Sequence, residues 1–473
     1  MTYIKNILLV FGFILINSCD SFLEVDQVGK STIPVFVSDM DGIRAALPGA
    51  YSSVYEYYGE EFVLYPDVAA DMLQVNVTGD NSMISQYNYT SNPDEEITAV
   101  GGIWTDAYKA LVNVNNILEY LPSLRSSFPE NKDELQIIKA EALFLRALIH
   151  FDLVRVYAQP YNYTADASHI GVPVLLKTPS SDDNVPRNTV KEVYDQIIND
   201  LKEAETLYGS EQGSESSYYA SKNAVYGLLA RVYLYMESWE DAIDYATLAI
   251  NSTPLSQAQD YLDMFLTVSD DDESLFKLNG KLKTPELISF YNLQSPLGYA
   301  SEKLLALFNE YPEDIRWQLF EENTLSNTYG TLKFLKEDVA IADKQYDIIV
   351  LRTSEMYLVR AEAYNNLNEI ELAKADLKTL LARNTQKSID EVTITENTKE
   401  AITERIDKER SKELCFEGHR LYDITRTKQD MVRDENTSSS VKEVLYPNDL
   451  FILPIPQKEM DVNTGMIQNE GYN

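Results

Sequence analysis

The chain has 473 residues, 44% of them hydrophobic, and sets 75 acidic side chains against 40 basic ones for a net charge of −35. That hydrophobic share excludes disorder as the main state, and the length calls for two domains or a repeat architecture. The negative charge repels phosphate backbones and anionic headgroups, which excludes nucleic-acid binding and electrostatic adsorption to a membrane.

Lys5 precedes an apolar run from Ile7 to Ile16. A run of about ten residues is too short to cross a bilayer, which takes about 20, and fits the apolar region of an export signal. It ends at Ile16-Asn17-Ser18-Cys19, a small residue before a cysteine. We expect cleavage after Ser18 and lipid on Cys19, in preference to a buried N-terminal helix with an incidental cysteine. Several acyl chains on one cysteine make a stable anchor, and no later apolar stretch approaches spanning length. Residues 1–18 are therefore read as a lipoprotein signal peptide and 19–473 as the mature domain. With Cys19 acylated, Cys415 lacks a disulfide partner and, between Leu414 and Phe416, reads as a buried, unreactive thiol.

Helical periodicity dominates the rest. Ser38-Asp39-Met40-Asp41 resembles a capping box that opens a helix through Ile43, Leu47, Ala50, Tyr51 and Val54, with a kink expected at Pro48-Gly49. The same aspartates lack the later ligands of a calcium loop. A second helix is expected over 103–120, stopping before Pro122. A third, over 132–157, carries Ile138, Ala142, Leu145, Leu148, Ile149, Leu153 and Val156 on one broad face. Further helices are expected at 189–207, 221–236, 240–250, 353–367, 370–383 and 398–417. Trp104 and Trp239 fall at helical positions suited to the core. Residues 75–100 and 266–300 lack periodicity and read as loops forming one variable face, with Gly209–Ser217 a flexible loop.

Ala230–Met236 aligns with Ala361–Leu367, and without a gap Trp239 then meets Ile370, Ala242 meets Ala373 and Ala249 meets Leu380. Small and large residues recur where antiparallel helices approach closely, the logic of tetratricopeptide-like hairpins. Such hairpins bury their apolar faces only by stacking, so the fold class expected is all-α: a helical scaffold with a loop-rich face.

Several segments resemble one family in order and spacing along the whole chain. They are Cys19-Asp20-Ser21-Phe22-Leu23; Trp104-Thr105-Asp106-Ala107-Tyr108 with Asn115-Asn116-Ile117-Leu118; Glu141–Ala147 with Phe151–Tyr157 and Gly171-Val172-Pro173; Arg352–Ala363; Glu409–Arg426; and Leu453-Pro454-Ile455-Pro456 with Gln468-Asn469 and Gly471-Tyr472. The chain resembles the SusD/RagB family of outer-membrane nutrient-binding lipoproteins of the Bacteroidetes. That resemblance implies a surface lipoprotein that lids a SusC-like TonB-dependent transporter and captures ligand, most often glycan. It implies location at the outer membrane, facing outward. Peptide capture in the same assembly, or a pure protein–protein scaffold, are the alternatives. Ligand residues vary within the family, so the resemblance assigns none here.

No catalytic constellation stands out. The three histidines, His150, His169 and His419, show no zinc spacing, and phosphate loops, dinucleotide glycines and nucleophile elbows are absent from the sequence. The expectation is a non-enzyme without metal or cofactor. His150 reads as a core histidine, and Asp270-Asp271-Asp272-Glu273 as a solvated loop sooner than a calcium site. Arg410, Glu413, Glu417, Arg420 and Asp423 step by three and four and are expected to pair along a helix end. Sugars need flat aromatic faces and short polar side chains, which Asn76, Asn81, Tyr87 and Tyr89 supply in the first loop and Tyr291, Asn292 and Tyr299 in the second, with Tyr65 beside them. Each loop tyrosine could equally pack on the scaffold. Tyr87 and Tyr89 share parity and would face one way in an extended segment. Trp317 could join this face, although Asp314-Ile315-Arg316 beside it looks like scaffold.

Overall fold

The computed structural model describes residues 36–472 apart from 79–80, 181–182, 210–212, 214–215, 269–271, 282, 284–285 and 336–345; the expected signal peptide, Cys19, Asp270 and Asp271 lie outside the described residues. Helices dominate: α1 (Met40–Tyr57), α2 (Ile84–Tyr87), α3 (Ala99–Ser127), α4 (Lys132–Tyr157), α5 (Val190–Tyr208), α6 (Lys222–Tyr235), α7 (Trp239–Ser252), α8 (Thr353–Asn366), α9 (Ile370–Thr385), α10 (Lys399–Glu413), α11 (Arg420–Arg426) and α12 (Gln457–Val462). The strands are short: β1 (Leu73–Val75), β2 (Ser274–Leu278), β3 (Gly298–Ala300), β4 (Phe320–Asn323), β5 (Thr328–Thr331), β6 (Ile348–Arg352), β7 (Met431–Val432) and β8 (Glu443–Val444). They pair as four antiparallel ribbons, β1 with β3, β2 with β6, β4 with β5 and β7 with β8.

Local chemistry starts the helices close to where the sequence places them. The Asp39 carboxylate caps α1 by accepting from Gly42 N at 2.8 Å, Thr189 and Glu192 form a full capping box on α5, and Ser221 and Thr398 cap α6 and α10. Two boundaries differ. Helix α3 does not stop before Pro122 but continues to Ser127. Pro122 is exposed, so its ring finds room on the solvent side of the helix. Helix α10 ends at Glu413 rather than 417, because Phe416 (φ 65°) and Gly418 (φ 79°) turn the chain into α11. A Cβ on Gly418 would come within 3.1 Å of the Val63 backbone, so the turn needs glycine for space as well as for φ.

Helix packs on helix in sequence: α1 on α3, α3 on α4, α4 on α5, α6 on α7, α7 beside α8, and α8 against α9 and α10. The two hairpins of the internal repeat are α6–α7 and α8–α9, and the small residues Ala230, Ala242, Ala246, Ala249, Ala361 and Ala373 are fully buried at their contacts. Gly227 on α6 makes room for the β2–β6 ribbon, since a Cβ there would sit 2.8 Å from Leu275. One apolar core spans α1 through α7, and a second, with Leu358, Leu377, Leu380, Ile402 and Ile406, fills the space between α8, α9 and α10.

The charged segment 409–426 is structural, but it pairs mostly across the fold. Among the described residues none of the five expected partners pairs with another of the five three or four positions away: Arg410 meets Asp423 at 3.0 Å across the turn between α10 and α11, and Arg420 reaches back to Asp71 at 2.8 Å. Glu413 sits among Arg316 (3.0 Å), Arg352 (2.7 Å) and Arg383 (2.5 Å), and Glu417 binds Lys333 (2.6 Å) and Arg352 (2.9 Å). Asp314, Glu273 and Glu409 complete the cluster, in which no side chain is more than 7% exposed. Glu273 is thus an internal ion-pair partner and Asp272 pairs with Lys277 at 2.9 Å, so these two carboxylates are buried and paired rather than solvated as the sequence reading expects. Although burial opposes ionisation, the surrounding guanidinium groups hold the Glu413 carboxyl well below the ordinary range.

Candidate ligand-binding face

Residues 75–100 and 266–300 are anchored by short strands and helical turns. β1 and β3 pair in the register Leu73 to Ala300, Gln74 to Tyr299 and Val75 to Gly298, and Asn76 N extends the ribbon to Leu297 O at 2.7 Å. The Asn81 amide donates to Asn76 O (3.1 Å) and accepts from Met83 N (3.0 Å), which sets the start of α2. Tyr87 ends α2 and donates to Gln74 Oε1 at 3.0 Å, with its hydroxyl 2.7 Å from Thr437 Oγ1. Asn76, Asn81, Tyr87 and Tyr299 therefore come together, as their loop assignments anticipate.

The segment 433–444 covers this group and is not singled out by the sequence reading. Arg433 is buried and donates to the carbonyls of Val68, Ala70, Tyr87 and Val441 and to Ser439 Oγ, with its guanidinium 4.3 Å above the Tyr87 ring. Thus fixed, the run Asn436-Thr437-Ser438-Ser439-Ser440 lies along the ribbon: Ser438 Oγ donates to Val75 O at 2.5 Å, and Asn88 Oδ1 accepts from Ser440 N at 2.9 Å. Five successive short polar residues without periodicity were the available signal. Half-buried Tyr299, Asn76 and Thr437 with exposed Ser438 and Ser440 make a ledge of uncharged hydrogen-bonding groups beside one aromatic ring.

The other proposed residues are placed differently. Tyr65 is 2% exposed and donates to Phe451 O; Tyr87 and Tyr291 are fully buried, and Tyr291 stacks on Phe334 at 5.6 Å. None of these three offers a ring face to a ligand, and burial pushes the Tyr65 and Tyr291 hydroxyls well above their ordinary pKa. Tyr89 is half-buried with φ 53° and donates to Ala69 O at 2.5 Å. The chain from 84 to 89 is a helical turn followed by a left-handed residue, so the shared-parity argument for Tyr87 and Tyr89 does not hold. Asn292 is exposed, and its side chain accepts from Gln294 N (2.8 Å) and Ser295 N (3.3 Å) to shape a turn. Trp317 packs among Phe308, Phe320 and Tyr329.

Several concavities lie elsewhere among the described residues. One, of about 40 Å³, is lined by Arg155, Arg231, Lys333, Glu417 and His419 and has room for little more than water. Another is an open cleft of about 410 Å³ between α3, a side formed by Pro173, Leu175, Pro179, Asp183 and Val185, and α12, floored by Trp104 and Tyr108. Trp104 is 5% exposed, so its placement in the core holds.

Two of the three histidines and the buried cysteine are held by hydrogen bonds, while His419 is buried with its Nδ1 unpartnered among the described residues. His150 lies between Arg146 O (3.0 Å) and Leu175 N (3.2 Å), and burial lowers its pKa to about 3. His169 contacts Thr164 Oγ1 and Gln159 O. The Cys415 thiol donates to Lys412 O, and burial pushes it up to about 11, consistent with an inert core cysteine. Among the described residues no group of three or more His, Cys, Asp or Glu is arranged to hold a metal ion.

Comparison with known proteins agrees with this architecture. Residues 22–234 match a family model described as starch-binding associating with outer membrane, and residues 309–472 match the SusD family model. The chain is 25% identical over 500 residues to the SusD-like protein P38 of Formosa agariphila, covering 90% of this chain and 92% of that one. Among solved structures it is similar to a SusD superfamily protein from Bacteroides thetaiotaomicron, with TM-score 0.80, 28% identity, and 91% and 99% of the two chains covered. A putative sugar binding protein from Bacteroides vulgatus aligns with TM-score 0.80 and 27% identity over 92% of this chain and 99% of that one.

Proposed function

The chain belongs to the SusD/RagB family, and from that premise we propose that it is a cell-surface lipoprotein that captures oligosaccharide and delivers it to a TonB-dependent outer-membrane transporter. The observation that carries this reading is the pair of family matches, one described as starch-binding and outer-membrane associated, which together take in both ends of the described fold. A structure solved for a putative sugar binding protein supports glycan as the ligand class. On this reading the protein binds and hands over its ligand without transforming it.

The uncharged ledge of Asn76, Tyr299, Thr437, Ser438 and Ser440 suits hydroxyl-rich ligands, because short amide and hydroxyl groups both donate and accept. On this reading attachment rests on acylation of Cys19; among the described residues no helix is long and apolar enough to cross a membrane. Labelled palmitate should enter the wild-type chain and not Cys19→Ala. The protein should co-purify with a transporter barrel and bind members of a glycan array in preference to a peptide library. Failure of both binding results would end this reading, and a peptide preference would redirect it to the family's peptide-capturing role.

A further inference from the structure

The open cleft between α3 and α12 has the makings of a second ligand site, separate from the ledge. Trp104 and Tyr108 are four residues apart on α3, so their rings lie on one helix face, with centroids 4.7 Å apart. The opposite wall comes from α12 and the residues after it, through Glu459, Val462 and Asn463, and Pro173 closes one end. These walls come from distant parts of the chain and are pinned to one another. Tyr108 donates to Pro173 O at 3.1 Å, Asn463 Nδ2 to Val185 O at 2.8 Å, and Arg187 to Gly171 O at 2.6 Å and Asn469 Oδ1 at 2.7 Å. The cleft is built before any ligand arrives.

Its unspent groups define the chemistry. Glu459 receives one hydrogen bond, from Asn463 Nδ2 to Oε1 at 3.2 Å, and its other oxygen has no donor among the described residues. The Trp104 indole N–H likewise has no acceptor among the described residues. Lys109 reaches only Asp106, at 3.4 Å, with most of its side chain exposed. A carboxylate that can accept from neighbouring hydroxyls, two donors, and half-buried Tyr108 beside the small exposed part of Trp104, against which C–H groups can lie, are complementary to a pyranose ring. Carboxylates of Glu459 and Asp183 outnumber the single cation Lys109 in the lining, and the whole chain carries −35, so sulfated or uronic sugars are repelled. A volume of about 410 Å³ falls at the small end of small-molecule sites, which run to about 1,000 Å³, and fits a chain end rather than a long chain.

We infer that the Trp104–Tyr108–Glu459 cleft binds the end of a neutral oligosaccharide, as a site additional to the ledge. This rests on the reading of the protein as a glycan binder. The test titrates the full mature chain with maltohexaose, laminarihexaose and xylohexaose, and with alginate and carrageenan hexasaccharides, by calorimetry and tryptophan fluorescence. A neutral probe should shift the tryptophan emission of the wild type, and Trp104→Phe should remove that shift. Glu459→Gln, which keeps the side-chain shape, should weaken the same probe roughly tenfold or more. Binding that ignores both variants yet disappears in Tyr299→Ala would place the ligand on the ledge, overturning the cleft while leaving the glycan function intact. A preference for the anionic probes would overturn the ligand class, and binding of none of them would defeat both readings together.

Discussion

Replacing Glu413 tests whether the buried ion cluster holds the C-terminal half of the fold together. Its carboxylate accepts from Arg316, Arg352 and Arg383 at 3.0, 2.7 and 2.5 Å, and Asn384 Nδ2 lies a further 3.4 Å away. Arg316 comes from the turn just before β4, Arg352 from the end of β6 and Arg383 from α9, so one carboxylate of α10 ties together segments far apart in the chain. Glu413→Gln keeps the volume but removes the charge and turns an N–H donor toward a guanidinium group. Removing one partner of a buried pair costs about 3–5 kcal/mol, a sizeable share of the about 5–15 kcal/mol that holds a typical domain. At about 2 cal/mol/K per residue, a chain of this size unfolding as one unit loses about 3–6 °C of Tm for that change. The assay is urea or thermal unfolding of both proteins at pH 7 and at pH 3. The folded pKa of Glu413 lies well below its ordinary 4.5, so its contribution is complete above 4.5 and is lost as pH falls through the depressed value. The gap between wild type and variant should therefore narrow in acid. A variant within about 1 kcal/mol of wild type at pH 7, or a gap that widens in acid, would falsify the account.

Arg433→Ala removes five hydrogen bonds that fasten residues 433–444 to the ribbon and leaves carbonyls of Val68 and Ala70 without that donor. The expected loss is about 3 kcal/mol, with faster proteolysis at 436–440 and weaker glycan binding at the ledge; unchanged proteolysis would count against it. Asp67 is buried, and although it accepts from Gly418 N at 2.9 Å, burial raises its pKa to about 7. Ionising it inside the fold is unfavourable, so the wild type loses stability as pH rises from 3.8 towards 7, and Asp67→Asn does not. The variant should gain on wild type by up to about 1.4 kcal/mol per pH unit over that window in paired urea titrations, and a pH-independent difference would contradict the shift.

What was legible in the sequence is local in origin. The helix starts near 38, 189, 221 and 398, the period of α4, and the alanine spacing of the two repeat hairpins depend on neighbours within a turn or two, although the cap of α1 is Asp39 and not Ser38 of the expected box. The grouping of Asn76, Asn81, Tyr87 and Tyr299 was anticipated because both loops carry the same residue mixture. The roles of the tyrosines were not legible. Tyr65, Tyr87 and Tyr291 look alike in composition to half-exposed Tyr299, and only distant contacts (the Phe451 carbonyl that accepts from Tyr65, Phe334 and Phe416 around Tyr291) separate core from surface.

By itself, then, the sequence determined an all-helical repeat scaffold, its family and its negative charge, because periodicity, capping and composition act over short distances or over the whole chain at once. Tertiary structure alone decided that Glu413 serves three arginines, that Arg433 lays a serine run along the β1–β3 ribbon, and that α12 closes a cleft over Trp104 and Tyr108. Each of these joins residues tens to hundreds of positions apart, and burial of a polar or aromatic group is decided by what the rest of the chain brings against it.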